Sequence, residues 1–403
     1  MYLAVALDGG GWHPAAWRDP SARPSSLFDP GYWVELARTA ERGAIDFLTL
    51  EDAFTLQSAH PFRPDDRVDQ VRGRLDAALL AARLAPATTR IGLVPTVTTT
   101  HTEPFHVSTR IASLDHVSAG RAGWRVQILK QSQEADLFGR RSIAGRGTDR
   151  PAAPDEPAGE GAQDLFDEAA DSVEVARRLW DSWEDDAEIR DVATDRFIDR
   201  DKLHTVDFAG DHFSVRGPAI TPRPPQGQPV VTVLAHVEPA YDLAARSADV
   251  VFTTPPDLAG VAPILQDVRA AEARVDRSGP PLLVFADLLV LLEDDGADAQ
   301  AAKARLDELD GRPLRSDAAV VADTPAALAE LLAAWHDAGI DGFRLRPARL
   351  PRDLDAIVDS VVPALRSRGL VRGSYDELTL RPRLGLARPA NRYATGSVAG
   401  ATA

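Results

Sequence analysis

An α/β barrel of eight parallel strands, a (β/α)8 TIM barrel with enlarged βα loops, is the fold this sequence predicts, and three observations predict it. Short apolar, β-rich runs alternate with longer helical patterns, and that order implies parallel strands joined by right-handed crossovers. The strand runs are continuously apolar rather than alternating, as they are when both sheet faces are covered. They number eight: Leu3–Leu7, Ile45–Leu50, Ile91–Pro95, Ala122–Ile128, Val230–Leu234, Val250–Thr253, Leu282–Val290 and Gly342–Leu345.

The helical patterns cover Tyr32–Arg42, Val71–Leu84, Phe105–His116, Leu165–Trp183, Tyr241–Ser247, Ala297–Leu309, Ala326–Ala338 and Asp353–Arg368. A doubly wound sheet is the competing layout. Its dinucleotide fingerprint fails here: Gly9 and Gly11 follow the first strand, but Pro14 stands where the third glycine is required. One barrel domain is expected over residues 1–386. Residues 140–163, rich in Gly, Pro, Ala and charge, form a mobile insertion after the fourth strand that is either a surface loop or a lid. A second excursion, 184–229, decorates the same top face, and 387–403 is a poorly ordered or interface-bound tail. TLRPRLGL (Thr379–Leu386) makes domain or dimer contacts, and the acidic run Glu184–Asp186 is a solvated helix end.

Composition narrows the function. The chain has 403 residues, a formal charge of −16 and no cysteine. The charge disfavours nucleic acid as a partner. The missing cysteines exclude disulfides, thiolate metal sites and a cysteine nucleophile. No run approaches the ~20 apolar residues of a membrane span, and the start lacks a signal-peptide pattern, so a cytoplasmic location is expected. His101 and His106 do not share a helix face and no carboxylate completes a metal set. The lysines are Lys130, Lys202 and Lys303 alone.

Several motifs, taken in order, carry a family likeness: HPAAWR (His13–Arg18), ELARTAERGAIDFLTLEDAF, TEPFH followed by SLDHVSAGRAGW, LWDSWEDD, VVPALRSRGLVRGSY and TLRPRLGL. Together they resemble the bacterial-luciferase-like flavin monooxygenases, in the branch of nitrilotriacetate, dibenzothiophene-sulfone and long-chain alkane monooxygenases. The resemblance implies a TIM barrel that takes reduced FMN from a separate flavin reductase, adds O2 at the flavin and oxygenates a small organic substrate, in a homodimer. The cofactor carries the hard chemistry, and the protein orients it and excludes water.

The resemblance also places site residues. Asp52 stands where the family has an acid beside the flavin ring; it can accept from a ring N–H or cap the following helix. Thr98 and Thr99 match a hydroxyl pair at the end of strand 3, which can bind the flavin's polar edge or simply fill the strand. His13 can move protons at the substrate pocket or pack its loop. Elsewhere the pattern departs. An Asn of the family is Arg125 here; a His-x-x-x-Tyr pair becomes Ala162 and Phe166; and a Gln-Ala-Gly-Ser-Ser phosphate turn becomes Val233, Leu234, Ala235, His236 and Val237. Arg125 and His236 are the candidate replacements for the lost donors. The departures leave two further readings open: use of the deazaflavin F420, or a non-catalytic partner subunit.

Overall fold

A computed structural model describes residues 1–58, 64–139 and 160–394. The strands in chain order are β1 (Tyr2–Leu7), β2 (Phe47–Leu50), β3 (Gly92–Thr98), β4 (Gly123–Gln127), β5 (Glu188–Asp191), β6 (Arg196–Ile198), β7 (Phe208–Ala209), β8 (Ser214–Val215), β9 (Val230–Leu234), β10 (Val250–Thr253), β11 (Leu283–Leu292), β12 (Ala319–Asp323) and β13 (Gly342–Pro347). Eight of them close a parallel barrel in the order β1-β2-β3-β4-β9-β10-β11-β13, with β13 pairing back to β1 and β10 joined to β11. The eight predicted strands are these eight. β12 extends β11 outside the ring, and β5-β6 and β7-β8 are short hairpins in the excursion.

The helices are α1 (Pro30–Arg42), α2 (Ala77–Leu84), α3 (Pro104–Val117), α4 (Ser132–Phe138), α5 (Glu160–Asp181), α6 (Glu238–Ser247), α7 (Val261–Arg274), α8 (Gly296–Asp310) and α9 (Pro325–Asp337), followed by a last helical run over 352–367. Local chemistry sets their starts. The Asp29 side chain accepts from Gly31 N at α1, and Thr324 accepts from Ala327 N at α9, where Pro325 takes the first turn without losing a needed donor. Sequence patterning missed α4, α7 and β12. In α7, Val261, Leu265 and Val268 carry the buried side, but Pro263 interrupts the pattern.

Two expectations need correction. The helix expected over Val71–Leu84 begins at Ala77: Asp76 caps Leu79 N, and Gly73 sits at φ +92, which helical residues do not adopt. Residues 71–75 cross the barrel mouth instead, pinned by Arg74 to Asp8 at 2.6 Å.

Both ends of the excursion lie at the opposite end of the barrel from the one expected, and only its β7–β8 hairpin runs up along α5, where His212 faces Asp164 at 3.4 Å. α5 runs back down the barrel wall, so the chain leaving Asp181 starts at the strands' N-terminal end. There Gln226 bonds the Asp115 side chain and Ala122 O, just before β4. Its acidic run is exposed at Asp185 and Asp186, as expected, and its members also pair: Glu184, Asp185 and Asp186 with His204, Arg223 and Lys202.

TLRPRLGL closes the barrel floor. Leu380, Leu384 and Leu386 pack with Phe47, Val94, Val230, Phe252 and Phe285 inside the ring. A side chain at Gly92 would strike Leu380 at 2.8 Å, so only glycine admits the plug there. The first part of the tail is docked: Asn391 donates to Asp181 O and Trp183 O, and Arg392 pairs with Glu174. Of the 140–163 insertion, 140–159 lie outside the described residues and 160–163 open α5.

Candidate active site

In a barrel of this kind the working end is where the strands' C-terminal ends and the βα loops meet. Alternate strand residues enter the bore. Its lower half is apolar. Its upper half is a continuous run of ion pairs.

Arg125 on β4 donates to Glu51 at 2.8 Å and to Thr96 Oγ1 at 2.9 Å. Arg344 on β13 reaches Glu51 at 3.5 Å and Asp287 at 2.8 Å. Arg346 meets Asp287 at 3.0 Å and Asp317 at 2.6 Å, and Asp317 lies 3.3 Å from His236 on the rim. Arg344 and Asp287 are wholly buried.

Burial alone would raise the Asp287 carboxyl; Arg344 and Arg346 outweigh it and hold the group below the usual range. Glu51 follows the same balance, with burial opposed by Arg125, Arg344, Arg346 and Arg74. Burial lowers the Arg125 guanidinium despite Glu51. Sequence reading singled out Arg125 and missed its partners. The signal was present: FADLLV and GFRLRP put charges at inward positions of otherwise apolar strands.

The predicted residues fall into separate environments. His13 is buried in the first βα loop, lining a recess of about 140 Å³ with Trp12 and Trp17; Nδ1 accepts from Ala15 N at 3.1 Å and Nε2 lies 3.2 Å from Asp307, so both ring nitrogens already have partners in the protein. Burial, stronger than the pull of Asp307, lowers its pKa. Arg125 is ion-paired to Glu51 within the bore, and its Nε is left without a partner there.

At the predicted phosphate turn, the His236 ring is held on both sides, by Thr254 Oγ1 at 2.9 Å and by Asp317. Val237 caps α6 without a side-chain donor, Glu238 and Pro239 open the helix, and Ala240 N and Tyr241 N bond back to Val237 O. Ala235 N is used by Phe252 O. A helix start made of a carboxylate and a proline is a poor anion cradle.

Asp52 and Thr98 do come together. They line a recess of about 20 Å³ at the ends of β2, β3 and β4, with Gln127, Phe54 and Arg110. Asp52 accepts from Ala53 N at 2.8 Å and Ala77 N at 3.1 Å, tying β2 to the start of α2; burial raises its carboxyl against those two bonds. Thr99 bonds Gln127 O through N and Oγ1, at 2.9 and 3.2 Å.

Thr98 and Gln127 are register partners on neighbouring strands. Their Thr98 Oγ1 and Gln127 Oε1 are buried and bond nothing in the protein. Buried polar atoms are normally satisfied, so such a pair points to a missing partner. The recess shares Ala53 and Phe54 with a cleft of about 620 Å³ that extends to Gln133 and Leu137. Phe138 meets Phe54 edge-on at 4.7 Å and stacks on His101 at 4.9 Å beside it. Of the remaining pair, Phe166 is buried on α5 under the Lys130 ammonium, and the Ala162 side chain lies outside the described residues.

Comparison with known proteins agrees with this geometry. The sequence profile of the luciferase-like monooxygenases matches residues 11–313. The chain is 32% identical to nitrilotriacetate monooxygenase component A of Aminobacter aminovorans, over 98% of this chain and 99% of the relative. It is 31% identical to N-acetyl-S-(2-succino)cysteine monooxygenase of Bacillus subtilis (strain 168), over 97% and 98%. EDTA monooxygenase from Chelativorans sp. BNC1 shares the fold, with a TM-score of 0.81 at 24% identity over 96% of this chain and 99% of that one. The chain is a member of the luciferase-like monooxygenase family, an oxidoreductase built on the barrel that family uses.

Proposed function

We propose that this flavin-dependent monooxygenase is the oxygenating half of a two-component system. It takes reduced FMN from a separate flavin reductase and oxygenates a small organic substrate, as a cytoplasmic homodimer. The observation that carries the reading is the unsatisfied pair, Thr98 Oγ1 and Gln127 Oε1, at the strand ends of a luciferase-like barrel. A hydroxyl and a carboxamide side by side present both donor and acceptor capacity, which suits the alternating C=O and N–H edge of an isoalloxazine.

The mouth therefore suits the flavin ring, while the 235–237 turn offers its phosphate no free side-chain donor. Asp52 would keep β2 and α2 in register beneath the ring, and Phe54 with Phe138 would wall it from water. Bound reduced flavin supplies the reaction with O2; the protein's own task is to hold, orient and dry it. The ion-paired upper bore supports this by giving the ring a rigid, charge-balanced floor.

Anaerobic titration with reduced FMN tests the reading, followed by turnover with a flavin reductase and NADH. Saturable binding at micromolar concentrations and O2 uptake tied to substrate consumption are expected. Absence of binding would overturn it.

A further inference from the structure

The flavin reading leaves the phosphate without a side-chain anchor at 235–237, where the His236 ring is already held by Thr254 and Asp317 and Val237 offers no polar group. The cations around the mouth show where one remains. Arg74 faces Asp8, Arg125 faces Glu51, Arg344 and Arg346 share Asp287, and His236 faces Asp317. Each is already neutralised.

Lys130 is different. It follows β4 by three residues, between Gln127 of the recess and Gln133 of the cleft. Its ammonium stands 4.6 Å over the face of Phe166, which fixes its direction through a cation–π contact. Among the described residues no carboxylate pairs with it, and loss of hydration alone lowers its pKa. The other two lysines are paired, Lys202 with Asp186 and Lys303 with Asp307. In a chain of net charge −16, this exposed ammonium, aimed by Phe166 and without a counter-ion at the working end, is open to an anion arriving from solvent.

We propose that Lys130, held over Phe166, is the anchor for the phosphate of the bound flavin, in place of the 235–237 turn. The proposal rests on the flavin reading above and adds where the tail lies. Three residues of extended chain span about 10 Å, a distance of the order needed to run from the ring edge at Gln127 along a ribityl chain. A lysine suits the task, since its ammonium meets phosphate oxygens as a point charge without demanding a planar fork.

Riboflavin carries the same ring and ribityl chain as FMN but no phosphate, so the pair isolates the anchor. Dissociation constants for both, reduced and measured anaerobically by fluorescence or absorbance, are needed for wild type, Lys130→Gln, Lys130→Arg and His236→Ala. Wild type is expected to prefer FMN over riboflavin by tenfold or more. Lys130→Gln should lose that preference with riboflavin affinity unchanged, Lys130→Arg should keep most of it, and His236→Ala should keep it. Retention of the full preference in Lys130→Gln, or its loss in His236→Ala, overturns the proposal while leaving the flavin reading intact. A wild type that binds neither flavin overturns both.

Discussion

The two halves of the barrel bore solve the same packing problem with opposite chemistry. Below, Phe47, Val94, Phe252 and Phe285 interlock with the leucines of the 379–386 segment, and the space is filled by shape alone. Above, Arg125, Glu51, Arg344, Asp287 and Arg346 fill it with charges that neutralise one another. An apolar core tolerates local loss in proportion to the volume removed. A buried ion network does not, since removing one member strands the rest in a low-dielectric site. The difference teaches which half can be altered without consequence for the other, and why the site sits on the less forgiving half.

Four measurements break or sharpen that contrast. The largest effect is expected from Asp287→Ala, which leaves Arg344 and Arg346 buried without their shared partner. Unfolding by denaturant should show a loss of about 3–5 kcal/mol, and a loss under about 1 kcal/mol would mean that the upper bore is not held by its charges. Leu384→Ala opens a void in the floor and should cost about 2–4 kcal/mol, with flavin affinity unchanged; a change in affinity would show the halves to be coupled.

Titration separates the two ends as well. At the floor, burial raises Asp46 and Asp115 to about 6, against Arg372 and against the Gln226 bonds respectively. Their folded values lie above the unfolded ones, so the stability they contribute is full below about pH 4 and is lost as the pH rises through 6. Each loss is on the order of 2–3 kcal/mol. In the upper bore Asp287 and Glu51 are depressed, so their contribution is present above the ordinary carboxylate range and falls away only on further acidification. Stability measured between pH 4 and 6 should fall in wild type and fall less in Asp115→Asn; parallel curves would remove Asp115 as the cause.

The smallest effect is expected from Thr98→Val. Replacing an unsatisfied buried hydroxyl by a methyl should raise apo stability by up to about 1 kcal/mol while weakening reduced FMN several-fold. Destabilisation of the apo protein would show that Thr98 Oγ1 already has a partner.

The sequence carried the frame unevenly. All eight barrel strands were legible because each is a short apolar run facing packed layers on both sides. Helix α7 was not, because Pro263 in its first turn breaks the pattern that a reader of periodicity depends on. Asp52 and Thr98 were placed at the mouth by the family resemblance and by their position at strand ends, and the structure brings them to one recess. His13, Arg125 and His236 were chosen for chemical type. Type says what a side chain can do, but not that Asp307, Glu51 and Asp317 already occupy it. Gln127 and Lys130 gave no signal by type; only the atoms left without partners around them mark them out.

By itself, then, the sequence determined the parallel strands, their order and the end at which chemistry occurs, because those follow from hydrophobic period and chain direction. Tertiary structure alone decided which polar groups are spent and which are free. Ion pairs such as Arg344 with Asp287 join residues 57 positions apart, and no local pattern records a partner that folding brings from so far along the chain.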